Sequence, residues 1–78
     1  MLMLKQPEFG ELVREMRHCS GLTQEELASK IGVSYASLNR WENCRTMPVG
    51  LVVKRVREVL VEMGDRGQDL LEHYFLEE

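Results

Sequence analysis

Between residues 34 and 43 the chain carries a phenol, a methyl, an amide and a guanidinium at spacings that bring them to one side of a helix. With Tyr35 at zero and an advance of about 100° per residue, Ala36 lies at about 100°, Asn39 at about 40° and Arg40 at about 140°. Leu38 falls at about 300° and Trp41 at about 240°. Tyr35, Ala36, Asn39 and Arg40 therefore share an open face, and Leu38 and Trp41 turn toward a core; Trp41 is read as packing rather than base stacking. The chemistry available to this face is recognition. A guanidinium can pair bidentately with guanine, an amide can bond adenine or a phosphate, and a ring and a methyl can meet thymine methyls. A face that is only solvated more often carries Glu and Lys.

Bond-making chemistry is poorly provided for. There is no candidate triad, no metal-ligand cluster, no phosphate-cradling loop and no core large enough for a cleft, so the chain is not read as an enzyme and no cofactor or small-molecule substrate is expected. Cys19 and Cys44, the only cysteines, do not have a zinc spacing and are read as inert thiols; His18 and His73 are read as surface histidines. At 78 residues the chain makes one domain near the lower limit for a free-standing core. No apolar run approaches the roughly 20 residues a membrane span needs. Met1-Leu2-Met3-Leu4 is too short for a signal-peptide core, so a cytoplasmic protein is expected.

The recognition face must be held by a pair of short helices within residues 23–43. Thr23 followed by Glu26 is a capping box, in which a hydroxyl meets the free amides and a carboxylate reaches back. Leu22 and Leu27 flank it at the spacing of a hydrophobic staple. Leu27, Ala28 and Ile31 recur on one side, Gly32 can take the positive φ that ends a helix, and Ser34 is a good N-cap for the next. Val33 and Leu38 repeat the staple. The spacing predicts helices over Gln24–Ile31 and Tyr35–Asn43 around a tight turn, a helix-turn-helix corner.

The remaining elements follow from similar signals. Pro7 suits the first turn of a helix whose core positions are Phe9, Leu12, Val13 and Met16. Gly10 weakens that helix by about 1 kcal/mol relative to alanine, and Ser20-Gly21 ends it. After a loop over 44–47, Pro48 opens a fourth helix with Val53, Val56, Val59, Leu60 and Met63 as its buried stripe and Lys54, Arg55 and Arg57 as a solvated face. Gly64-Asp65-Arg66-Gly67 reads as a breaker, and Gln68–Leu76 as a short fifth helix clustering Leu70, Leu71, Tyr74 and Phe75. So short a helix must dock to persist. Packing on its own domain and packing against a second copy, a homodimer through the C-terminal helix, stand equally open. The fold class is all-α, a compact bundle of about five short helices. Its divisions are a flexible arm over 1–6, the helix-turn-helix domain over 7–64 and an acidic C-terminal helix over 65–78.

On Arg17, Gly21-Leu22-Thr23-Gln24-Glu25-Glu26-Leu27-Ala28, Ile31-Gly32-Val33-Ser34, Leu38, Trp41 and Glu42-Asn43, the chain resembles the Cro and lambda-repressor-like, or XRE, family of bacterial and phage DNA-binding domains. The likeness covers roughly residues 9–63. It implies a lambda-repressor-like fold whose third helix, residues 34–43, is the recognition helix in the major groove of double-stranded DNA. Tyr35, Ala36, Asn39 and Arg40 would then be base-contacting. By the same resemblance Gln24, Ser34, Asn43 and Arg45 would be phosphate-contacting, and Arg17 and Glu42 a structural ion pair bridging the first and third helices. The implied function is a repressor-type transcriptional regulator that binds palindromes as a dimer. Two positions depart from the family. Cys44 stands where glycine is usual and dislikes positive φ, so a differently shaped loop is expected. Gly50 stands where an apolar residue usually begins the fourth helix, so that helix is expected to start at a shifted point.

The charge pattern admits a second reading. The net charge is −3, but residues 1–57 carry a balance of +3 and residues 58–78 a balance of −6. An acidic tail follows a mildly basic body, and so small a basic excess gives only modest nonspecific DNA affinity. A protein-interaction adaptor on a helix-turn-helix scaffold, with little DNA affinity, is the alternative.

Overall fold

The computed structural model describes residues 5–75, which form five helices: α1 (Glu8–Ser20), α2 (Gln24–Ile31), α3 (Tyr35–Glu42), α4 (Gly50–Glu62) and α5 (Asp65–Phe75). The fold is all-α and contains the helix-turn-helix corner. The first four residues of the expected arm and residues 76–78 lie outside the described range.

Local chemistry sets the corner. Thr23 Oγ1 accepts the Glu26 amide at 3.1 Å while Glu26 Oε1 accepts the Thr23 amide at 2.9 Å, closing the capping box at the start of α2. Gly32 ends α2 at φ 94°, which lets the Gly32 and Val33 amides both reach the Ala28 carbonyl, at 2.8 and 2.9 Å. An L side chain at that φ would be strained, so glycine is what allows α3 to begin three residues later. Ser34 Oγ then caps α3 by accepting the Ser37 amide at 3.1 Å.

One core joins all five helices. Phe9, Leu12, Val13 and Met16 of α1 meet Leu27, Ala28 and Ile31 of α2, Leu38 and Trp41 of α3, Val56, Val59 and Leu60 of α4, and Leu70, Tyr74 and Phe75 of α5. Phe9 and Trp41 meet edge to face with ring centroids 5.9 Å apart, the geometry favoured by the ring quadrupole. Val53 and Met63, expected in the buried stripe of α4, are only partly buried at its margin.

Three expectations are corrected by tertiary contacts. The fourth helix opens at Gly50 with Val49 as N-cap, not at Pro48. The break before the fifth helix is confined to Met63-Gly64, and α5 begins at Asp65. Gly67 lies inside α5, buried where a Cβ would fall 1.7 Å from the Leu60 carbonyl oxygen. It is a close-approach glycine that lets α5 lie against α4, not a breaker. The loop after α3 also departs from expectation, because Cys44 itself adopts φ 60°. Its amide bonds the Trp41 carbonyl at 3.0 Å, so the left-handed turn survives without the glycine.

The docking of α5 is decided within the domain. Leu70, Tyr74 and Phe75 are buried against α1 and α4. Arg57 lies over the Phe75 ring at 5.7 Å, and Arg66 Nη1 donates to the Cys19 carbonyl at 2.8 Å. The apolar face of this helix thus covers the core of its own domain.

Candidate nucleic-acid interface

The outward face of α3 is built by the phase of the helix. With Leu38 fully buried and Trp41 nearly so, Tyr35, Ala36 and Arg40 are left exposed; Tyr35 keeps 49% of its surface. Asn39 is half-buried at the edge of this face, and its Oδ1 accepts from Gln24 Nε2 at 3.3 Å.

Beneath the face lies a polar network that joins three helices. Arg17 of α1 donates through Nε to Glu42 Oε2 at 2.8 Å and through Nη2 to Glu42 Oε1 at 3.1 Å, a bidentate fork. Gln24 Nε2, at the first position of α2, donates to Glu42 Oε1 at 2.9 Å. Glu42 is only 3% exposed, so its carboxylate has exchanged water for three donors. The hydrogen bond to Glu42, opposed by partial burial and helped by the opposite charge, holds the Arg17 guanidinium above its ordinary pKa. The pair presents no net charge to whatever approaches α3.

The network changes what Gln24 can do. Its carboxamide nitrogen is directed inward to Glu42 and Asn39, which leaves the carbonyl oxygen as its remaining side-chain group, and that is an acceptor. A phosphate needs donors. The donors at this end of α2 are the backbone amides of Gln24 and Glu25, which have no carbonyl within the helix to bond, the Glu26 amide being taken by Thr23 Oγ1. A shallow groove lined by Arg17, Leu22, Thr23, Gln24, Glu25 and Tyr35 opens beside them.

The other expected phosphate contacts lie at the two ends of α3, Ser34 at its N-cap and Asn43 and Arg45 at and after its C-cap. Ser34 Oγ is engaged with both the Ser37 amide and Ser37 Oγ, the latter at 3.0 Å. Asn43 and Arg45 are exposed in the turn that follows α3, and the Arg45 amide bonds the Arg40 carbonyl at 3.0 Å.

Sequence reasoning missed the residue that anchors this turn. Gln6 Nε2 donates to the Thr46 carbonyl at 2.7 Å and to the Trp41 carbonyl at 3.1 Å, while its Oε1 accepts the Gly10 amide at 2.8 Å. One carboxamide thus caps α1 and pins the loop carrying Asn43 and Arg45. Gly10 belongs to the same junction, since a Cβ there would sit 2.6 Å from the Trp41 carbonyl oxygen. A glutamine before a proline gives no local signal of such a role, as its partners lie 35 and 40 residues away.

Among the described residues no group of three His, Cys, Asp or Glu could hold a metal ion, and no helix is long and apolar enough to cross a membrane. Cys19 and Cys44 are free and half-buried.

Comparison with known proteins places these features in a family context. A family model described as a helix-turn-helix domain matches residues 8–72. A curated relative from Archaeoglobus fulgidus, described as an uncharacterized HTH-type transcriptional regulator, is 34% identical over 71 residues, which is 87% of this chain and 31% of the relative. The chain thus spans about a third of the length of that relative. No solved structure matches the chain.

Proposed function

The chain belongs to the helix-turn-helix domain family, and from that premise we propose that it is a non-enzymatic, sequence-specific binder of double-stranded DNA, a cytoplasmic transcriptional regulator of the repressor type. The observation that carries the reading is the exposed Tyr35, Ala36 and Arg40 on α3, beside the free amides at the start of α2. Helix α3 lies in the major groove with Arg40 as the principal base reader, bidentate to guanine. Tyr35 and Ala36 meet thymine methyls, and Asn39, steadied by Gln24, reads at the edge. Backbone amides at the start of α2, with Arg45, Asn43 and Ser34, position the phosphates, and Gln24 acts chiefly by holding Glu42 and Asn39. Two copies bind a palindrome with half-sites about 34–36 Å apart.

Selection of sites from a random duplex pool at near-physiological salt tests this reading. Enrichment of a palindrome is the expected outcome. A folded sample that enriches nothing would overturn it in favour of a protein-interaction adaptor, a role that the acidic segment over 58–78 and the small basic excess before it favour.

A further inference from the structure

Helix α4 turns one face to the core and leaves the other uncovered by the rest of the described chain. Along the centre of that outer face run Leu51, Lys54, Glu58 and Val61, at intervals of three, four and three residues. Leu51 is 77% exposed and Val61 64%, the most exposed large apolar side chains on any of the five helices. Lys54 and Glu58 between them are also exposed. Lone exposed apolar residues need no explanation. Two of them bracketing a charge pair at symmetric spacing form a pattern with a specific consequence.

That pattern is self-complementary about Val56. If a second α4 is laid antiparallel across the first, Leu51 meets Val61 and Lys54 meets Glu58, each pair formed twice by the two-fold axis. A parallel arrangement would set lysine on lysine and glutamate on glutamate. The order of the charges therefore selects one orientation and disfavours the other. Among the described residues Glu58 is tied by Arg55 alone, at 3.3 Å, an exposed contact that leaves the carboxylate open to a second cation.

We infer that the outer face of α4 is a contact between two copies of this chain, arranged antiparallel about a two-fold axis that crosses the helix midway between Lys54 and Glu58. This names the surface behind the paired-copy part of the functional reading, on which it rests for its purpose. One helix face is smaller than the roughly 800 Å² per partner of a standard stable interface, so the pairing is weak in free solution and is reinforced where two copies are held side by side.

Sedimentation equilibrium without DNA, over a dilution series reaching about millimolar chain, tests the inference. The wild type is expected to show a concentration-dependent dimer. Lys54→Glu and Glu58→Lys, each folded by circular dichroism, are each expected to weaken it by about tenfold or more, because each places like charges across both pairs. An equimolar mixture of the two variants should regain the dimer, since every acidic pair then faces a basic one. Both variants keep a net negative charge, so general attraction does not account for that recovery, and no effect within one helix can produce it. A wild type that stays monomeric throughout the series, or variants that pair as well as the wild type, would overturn the inference. So would a mixture that remains monomeric. None of these results bears on site selection from duplex DNA, so failure here and failure of the DNA reading are separable.

Discussion

Helix α1 makes two polar bridges from residues two apart, and the difference between them shows how the domain divides its surface. Arg17 reaches α3 and forks onto Glu42, with Gln24 completing the carboxylate. Glu15 reaches α5 and accepts the Tyr74 hydroxyl at 3.1 Å. At the first bridge an opposite charge and three donors let a carboxylate be buried beneath the proposed DNA face. At the second a neutral phenol meets a carboxylate, with Glu11 and Glu8 also near. Burial first, then these three carboxylates, push the Tyr74 pKa up to about 12. The lesson is that the −3 net charge is a poor guide to function, because the acid beneath α3, Glu42, is paired with Arg17 while the acids where α1 meets α5 face a neutral phenol.

Removing the cation of the first bridge should have the largest effect. Arg17→Ala leaves Glu42 buried with Gln24 as its remaining side-chain donor, and is expected to cost about 2–3 kcal/mol in a denaturant titration. Glu42→Ala should cost less, because the orphaned Arg17 can turn to water; equal losses would contradict the burial argument. Next in size, Arg40→Ala should cost about 1–3 kcal/mol on the selected site and relax preference at one base pair, with folding unchanged. If that loss is the same on every sequence, Arg40 binds backbone and not a base.

Gln24→Ala should weaken binding to all sequences alike by about 1 kcal/mol, and should also lower the thermal midpoint, since its amide serves Glu42. A binding loss with no change in stability would mean that Gln24 turns outward to a phosphate. The smallest effect belongs to the second bridge. Tyr74→Phe should cost about 1 kcal/mol or less at neutral pH. Its pH signature has a definite sign. The folded pKa lies above the unfolded value, so the bridge contributes fully below about pH 10 and is lost as pH rises through about 12. Absorbance titration of the phenolate in a Tyr35→Phe background reads Tyr74 alone. Ionisation near pH 10 in folded protein would show that Tyr74 is not held buried beside Glu15.

Some of this was legible from residue types because the information is local. The boundaries of α2 and the start of α3 follow from Thr23, Glu26, Gly32 and Ser34, whose partners lie within five residues. The phase of α3, and with it the exposure of Tyr35, Ala36 and Arg40, follows from Leu38 and Trp41 one turn apart. The glycines show where such reasoning stops. Gly32 and Gly67 look alike in sequence, yet one is needed for its φ and the other for its missing Cβ, and only the position of Leu60 tells them apart.

The sequence by itself thus determined the helical class, the helix-turn-helix corner and the outward set on α3. Capping, turn and phase are short-range terms that act before the chain closes on itself. Tertiary structure alone decided that α5 completes its own core, that Gln6 pins the turn after α3, that Cys44 keeps a left-handed turn, and that Gln24 faces Glu42. Apart from the turn at Cys44, which closes on Trp41, each of those outcomes depends on which groups meet across 15 to 59 residues of chain, and no local preference records that meeting.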